Sequence, residues 1–484
     1  MHAPALPPLM DRLHTVMDGP GARLWLTRWV VLGLIVLGTA GLFALPLAFG
    51  RAPGISDYFP WFVANFHRFL VVHVDFSFVV FFLCIFAAVA HVTAYRLSNG
   101  SPRLTVLEFA AFRFAVVAVA GMFTPVLPLS EEALSLFPML VGEPVMSNYV
   151  PVVTSPMFYL SLLVLAVAMA FMAAFALVNL WERPAAAKAE HGQGIDVLSL
   201  AGLVSAAVYL LAFGYFLFTW KLLDGQPITH QFNEELFWAG GHVLQFINVA
   251  LLLGAWYAIS SSVFGPSTFN PMTVVLALGL LAVAAFTTSL ISVFYEIFSA
   301  DWLLAFTNWQ YAFAPVTLIV ALPLVKNLMT GTNKPWKNPG FVALVLSPLV
   351  FGIGGVMGLF VDGQDTRTPA HYHGMIAGVT LSFIALYYVV FLPLLGRTIT
   401  QPKLALASVW LFGVSQALAS SGLFIAGGHG AARKTAGADQ GLDGFAMKLG
   451  MGLNGGAGLL AIIGGALFVW VTASALLGGQ KKTE

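Results

Sequence analysis

Residues Thr368-Pro369-Ala370-His371-Tyr372-His373-Gly374-Met375-Ile376 open a long apolar segment with two imidazoles two positions apart. An α-helix turns about 100° per residue, so His371 and His373 point about 200° apart, to opposite sides of one helix. That arrangement is poor for one metal ion held by both rings. It is good for two prosthetic groups flanking a shared helix. With a partner histidine at the same membrane depth elsewhere, the natural cargo is haem. A lone histidine is more often simply hydrogen-bonded in an interior, but a pair in hydrocarbon is costly and usually functional.

The composition sets this segment in a bilayer. Of 484 residues, 59% are hydrophobic and 9% charged, which no soluble domain of this size matches, so the chain reads as a polytopic all-α membrane protein. A net charge of +1 gives no argument for nucleic acid. The single cysteine, Cys84, lies in an apolar run, which excludes disulfide frameworks, zinc fingers, iron–sulfur clusters and covalent c-type haem attachment within this chain. Met1-His2-Ala3-Pro4-Ala5 shows no cleavable signal pattern, so the first apolar segment is expected to remain as a span.

Runs of about 20 apolar residues cross a bilayer. Twelve are expected, near 24–50, 67–96, 104–128, 152–181, 195–222, 233–263, 271–298, 308–330, 339–361, 368–396, 403–427 and 446–478, forming one transmembrane domain over 1–484. Fourteen Lys and Arg, among them Arg183, Lys188, Lys481 and Lys482, fall in the connections on one side. Seven fall on the other, and Arg113 alone lies within a span. The positive-inside rule then puts both termini in the cytoplasm, as in a bacterial inner-membrane protein. Even-numbered spans begin on the outer side. His73, His242, His371 and His373 each lie a turn or two into such a span, about 5–12 Å deep at 1.5 Å per residue. Four buried histidines from three helices at one level make a ligand plane. His2, His14 and His191 fall in cytoplasmic segments, His91 near the inner end of its helix, and His230 and His429 in outer connections. These read as surface histidines.

The motifs carry a resemblance. Phe237-Trp238-Ala239-Gly240-Gly241-His242 resembles an FW-x-x-GH start to a sixth helix, and Asp365-Thr366-Arg367-Thr368-Pro369-Ala370-His371-Tyr372-His373 resembles D-T-x-x-x-A-H-F-H. Val72-His73-Val74 stands where a second helix carries a haem histidine, and Gly427-Gly428-His429-Gly430-Ala431-Ala432-Arg433-Lys434 resembles a G-x-x-x-x-R-R turn after the eleventh. In this order and at a common depth, they resemble subunit I of the haem–copper oxidase superfamily, which includes cytochrome c oxidases and nitric oxide reductases. The resemblance covers nearly the whole chain.

By position, the resemblance implies two haems of a, b or o type. His73 and His373 would be the axial ligands of a low-spin haem. His371 would be the single ligand of a high-spin haem whose far face is open to a gas, NO or O2. Arg433, Lys434, Asp365 and Arg367 would stand near haem propionates, where charge-assisted pairs suit carboxylates, though solvated loop charges account for them equally well. Electrons would come from a separate outer-side subunit, cytochrome c-like or a copper protein.

The pattern also breaks. In the family, His242 is joined by two adjacent histidines at the outer end of the seventh helix. Counting back from Val320-Ala321-Leu322-Pro323, that place falls at Tyr295-Glu296-Ile297-Phe298-Ser299, which has no histidine. A three-histidine copper site is therefore absent, since affinity needs several donors in a set geometry. Two readings stay open. Tyr295 and Glu296 complete a carboxylate-containing site with His242, suited to non-haem iron as in nitric oxide reductases; or no second metal binds. Phe246 and Leu244 stand where oxygen reductases carry a tyrosine and a glutamate, which argues against oxygen reduction with proton pumping. Lys326 lies near the family's channel lysine. Asp75 and Arg113 are intramembrane charges expected to pair with each other or to attend a haem.

The function this implies is a respiratory oxidoreductase subunit, nearer the nitric oxide reductases, passing electrons from a low-spin to a high-spin haem that reduces a gas. The alternatives are a two-haem electron-transfer cytochrome and a twelve-span transporter. Transporters place polar groups near the midplane between repeats rather than in one outer plane.

Overall fold

In lipid every backbone N–H and C=O must find a partner inside the protein, which leaves helices as the solution for runs this apolar. The computed structural model describes residues 9–181, 195–265, 270–332, 334–361 and 363–478. His2, His191, Arg183, Lys188, Lys481 and Lys482 lie outside them. Among the described residues twelve helices are long and apolar enough to cross a membrane: Pro20–Arg51, Phe66–Leu97, Thr105–Val126, Pro156–Trp181, Val197–Leu222, His230–Phe264, Pro271–Phe294, Ala300–Thr330, Pro339–Gly358, Arg367–Leu394, Pro402–Gly427 and Phe445–Leu477. They are called the first to the twelfth span below. A short helix, Leu9–Met17, precedes them, and a two-stranded hairpin (Pro144–Val145 with Val152–Val153) joins the third and fourth.

Where the ends differ from the apolar runs, caps explain it. Thr229 Oγ1 accepts from the Phe232 amide and starts the sixth span at His230. Ser299 Oγ accepts from the Trp302 amide and starts the eighth at Ala300, roughly two turns before its apolar run. The eighth then continues through a 3₁₀ turn at Gln310–Ala312.

The tenth span is the structural partition. It packs against the sixth on one side and the ninth and eleventh on others. Gly354 and Gly374 bring the ninth and tenth backbones together: a Cβ on Gly374 would meet Gly354 Cα at 2.6 Å. Small residues at such crossings let membrane helices approach closely. The second span carries a π-helical segment, Asp75–Val80, directly after His73 and Val74, a distortion frequent at functional sites.

Large apolar side chains such as Val117, Val283 and Leu322 are exposed on the bundle, as a lipid environment requires. Two expectations are corrected here. Arg113 faces outward, its guanidinium 3.8 Å above the Phe109 ring, while Asp75 is buried with no partner among the described residues; the two do not pair. His91 is not a surface histidine. It is fully buried, with Nδ1 2.5 Å from Glu108 Oε1 and Nε2 3.0 Å from Ala22 O.

Candidate functional site

His73, His242, His371 and His373 all line one cavity of about 1460 Å³. Ligand pockets usually run from about 300 to 1,000 Å³, so this one has room for more than one group. His371 and His373 leave the tenth span in different directions, as the helical period requires. His371 turns toward the ninth span, Nδ1 2.8 Å from Gly354 O. His373 turns toward the eleventh span and His73, its ring near the Gln416 side chain. His73 Nδ1 lies 3.1 Å from Ala40 O of the first span.

These carbonyl contacts decide the tautomer. A backbone carbonyl only accepts, so Nδ1 of His73 and of His371 carries the proton and donates it. Nε2 is then left with a lone pair for a metal. Iron-ligating histidines are held in this way, with the distant ring nitrogen tied to a carbonyl or carboxylate.

His242 is held alike, Nδ1 2.7 Å from Trp238 O, but its surroundings are crowded. Thr307 Oγ1 lies 3.4 Å from its Nε2, and the rings of Tyr149, Trp238 and Phe306 stand 4.6, 4.9 and 5.9 Å from its own. Tyr295 and Glu296 do not join it. Both are exposed on the turn between the seventh and eighth spans. Among the described residues no group of three or more His, Cys, Asp or Glu side chains is placed to hold a metal ion. The donors around His242 do not fit a second metal.

The four charges expected near propionates divide into two pairs. Arg367 binds Asp365 in a fork, Nε to both carboxylate oxygens at 3.1 and 2.9 Å and Nη2 to Oδ2 at 2.7 Å. Arg433 and Lys434 line the cavity and also grip the 144–153 hairpin. Arg433 donates to Asn148 Oδ1, and Lys434 Nζ donates to Met146 O at 2.5 Å. Burial first, and then Arg433, pull the Lys434 ammonium down to about 8. His67, unremarked in the sequence, meets the same turn, Nε2 2.9 Å from Lys434 O. His429 stays exposed, and Lys326 is exposed near the end of the eighth span.

Sequence reasoning missed Arg51. It ends the first span and lines the cavity, and its buried Nε and Nη2 have no hydrogen-bond partner among the described residues. A buried guanidinium without acceptors is costly, so an anionic group in the cavity is what this wall lacks. It missed Tyr149, Thr307 and Gln310 as well. Only the Ser299 cap, had it been weighed, would have pointed to the last two.

The fold and site define a class: a polytopic helical membrane protein with a shared, imidazole-lined cavity. Residues 25–453 match the family described as Cytochrome C and Quinol oxidase polypeptide I. The chain belongs to that family, as a divergent subunit I-like member. An uncharacterized protein of Aquifex aeolicus is 27% identical over 74% of this chain and 83% of its own length. A Rickettsia prowazekii uncharacterized protein is 24% identical over 94% and 96%. Cytochrome c oxidase subunit 1 of Thermus thermophilus is 28% identical over 37% of each chain. The fold also matches a haem–copper terminal oxidase dimer solved by cryo-electron microscopy, with TM-score 0.76 and 14% identity, covering 96% of this chain and 85% of that one.

The family binds haem. The residues present suit that group, with two carbonyl-oriented imidazoles facing a roomy cavity and an orphaned guanidinium for a carboxylate.

Proposed function

We propose that this chain is the haem-bearing subunit of a respiratory oxidoreductase, with His73 and His373 as ligands of a low-spin haem and His371 as the ligand of a high-spin haem. Bound there, haem supplies one-electron transfer and a site for NO or O2. The observation that carries the reading is the common orientation of His73 and His371, Nδ1 tied to Ala40 O and Gly354 O beside one cavity.

The protein's own residues do the positioning. His371 and His373 on different sides of one helix keep two groups a helix width apart, a short electron path. Arg51 offers its guanidinium to a carboxylate, and Arg433 and Lys434 stand on the same wall. Beside His242 the described residues place aromatic rings and the Thr307 hydroxyl rather than further metal donors, so the gas chemistry proposed here uses haem alone. Electrons enter from a separate donor subunit, cytochrome c-like or a copper protein, at the histidine end of the bundle. The Lys and Arg count supports that end facing outward, with both termini in the cytoplasm. The crowding at His242 favours one second reading, a two-haem electron-transfer cytochrome without gas reduction. Family membership sets the transporter aside.

Spectra of the purified protein test this. His73→Ala and His373→Ala should each remove the low-spin bands alone, and His371→Ala should remove the carbon monoxide shift alone. Low-spin bands that survive either of the first two substitutions would refute the ligand assignment. A wild-type protein with haem bands but no carbon monoxide shift would favour the electron-transfer cytochrome.

A further inference from the structure

The sixth span carries Gly241 immediately before His242, and the gap it leaves is filled from outside the helix. A Cβ on Gly241 would meet the Tyr149 ring at 2.5 Å. Tyr149 comes from the hairpin between the third and fourth spans, and the hairpin is fastened from several sides. Arg433 and Lys434 hold Asn148 and Met146, Asn148 Nδ2 donates to Glu234 Oε2 at 2.9 Å, and Arg68 donates to Pro125 O and Gly142 O at 3.0 and 2.8 Å. So held, the ring lies 4.6 Å from His242 and lines the cavity that His371 also lines.

The other polar groups next to His242 have their protons claimed. His242 donates Nδ1–H to Trp238 O, and the Thr307 hydroxyl lies 3.1 Å from Leu303 O and 3.4 Å from His242 Nε2, both acceptors. Gln310 donates to His242 O at 3.4 Å. Position 246 offers a phenyl ring packed on Phe313 and no polar atom. The Tyr149 hydroxyl stands near the Gln310 side chain. A phenol both donates and accepts, so its proton is open to a further acceptor. Burial holds its pKa above the ordinary phenol range, and Glu234 adds to the rise, so the proton stays in place.

We propose that Tyr149 is a positioning residue of the gas pocket: its hydroxyl donates a hydrogen bond to a diatomic ligand held on the His371 side. This deepens the proposed function and rests on it. The hairpin thereby brings a polar donor to a pocket whose remaining wall is aromatic, and the Arg433–Lys434 grip decides whether that donor is in place.

The probe is carbon monoxide on the reduced, haem-loaded, full-length protein, read by infrared spectroscopy and by equilibrium binding. Tyr149→Phe keeps the ring against Gly241 and His242 and removes only the hydroxyl. Its C–O stretch should rise in wavenumber and its carbon monoxide affinity should fall roughly threefold to tenfold, the range of one lost hydrogen bond. Gly241→Ala, which displaces the ring, should move both readouts in the same direction with the low-spin bands unchanged. Normal carbon monoxide binding in wild type, with neither readout moved in Tyr149→Phe, overturns the role of Tyr149 and leaves the haem assignment standing. No carbon monoxide complex in wild type overturns the role of Tyr149 together with the gas site at His371.

Discussion

Gly358 gives the sharpest test of how His371 is held. It lies at the end of the ninth span, and a Cβ added there would sit 2.7 Å from both Cε1 and Nδ1 of His371. Carbon atoms rest about 3.5–4.0 Å apart, so Gly358→Ala must push the ring by about 0.8 Å. Ligand positions at a metal tolerate about 0.2 Å. The same push acts on the atom that donates to Gly354 O at 2.8 Å, an outer contact of the kind whose loss costs about 10–100-fold in metal affinity. The clash falls on the free end of a side chain, so the ring can give way and the bundle should still form. Gly354 is different: a Cβ there meets the Met375 amide nitrogen at 2.4 Å, and only the backbone could move. The assay is the carbon monoxide difference spectrum, normalised to total haem. Gly358→Ala should lose most of that signal while the low-spin bands remain. Gly279→Ala, in the seventh span with nothing within 4 Å of its added Cβ, should lose none. Full carbon monoxide binding by Gly358→Ala would refute the reasoning, because then His371 either does not hold the gas-binding haem or does not depend on its neighbour.

Further outcomes follow from charges away from the cavity centre. His91 and Glu108 are both fully buried and bonded to each other. Removing one partner of such a pair costs about 3–5 kcal/mol, so His91→Ala should unfold at markedly lower temperature in detergent with haem spectra unchanged, and Glu108→Gln should cost less because it keeps a hydrogen bond. Lys434 gives a pH dependence. Its folded value of about 8 lies below the ordinary 10.5, so between those two values the unfolded chain binds more protons and stability rises with pH. The penalty is whole below about 8. Lys434→Met should flatten the thermal stability profile across pH 8–10.5, and an unchanged slope would show that the ammonium is not buried as described.

The twelve spans were legible because apolar run length is a one-dimensional signal, and the gathering of His73, His242, His371 and His373 on one cavity because helical period and membrane depth can be counted along a chain. His91 was misread for the same reason: depth alone put it near a surface, and only its packing against Glu108 of the next span shows it sealed in. Arg51 looked like one more loop cation, since its burial depends on the cavity wall it joins, which a sequence does not display. Tyr149 could not be placed from sequence, because it reaches His242 from a connection far away in the chain, through a hairpin whose hold comes from residues 433 and 434.

The departures around His242 belong together physically. Hydrophobicity starts the eighth span near residue 308 and extends the seventh to 298, which would keep Tyr295 and Glu296 at the level of His242. The Ser299 cap ends that arrangement. It begins the eighth helix early, leaves Tyr295 and Glu296 on an exposed turn, and brings Thr307 and Gln310 into reach of His242. One local choice of helix start thus removes two oxygen donors and supplies a hydroxyl and an amide, while Gly241 admits a phenol beside them. A site with those groups is suited to hydrogen-bonding a neutral diatomic ligand and poorly suited to a divalent cation, which needs several negative or lone-pair donors converging at once. Adding one donor by Thr307→His alone should therefore fail to raise iron or copper above the haem iron in metal analysis, because two imidazoles with no further donor among the described residues beside them still fall short of the set such an ion needs.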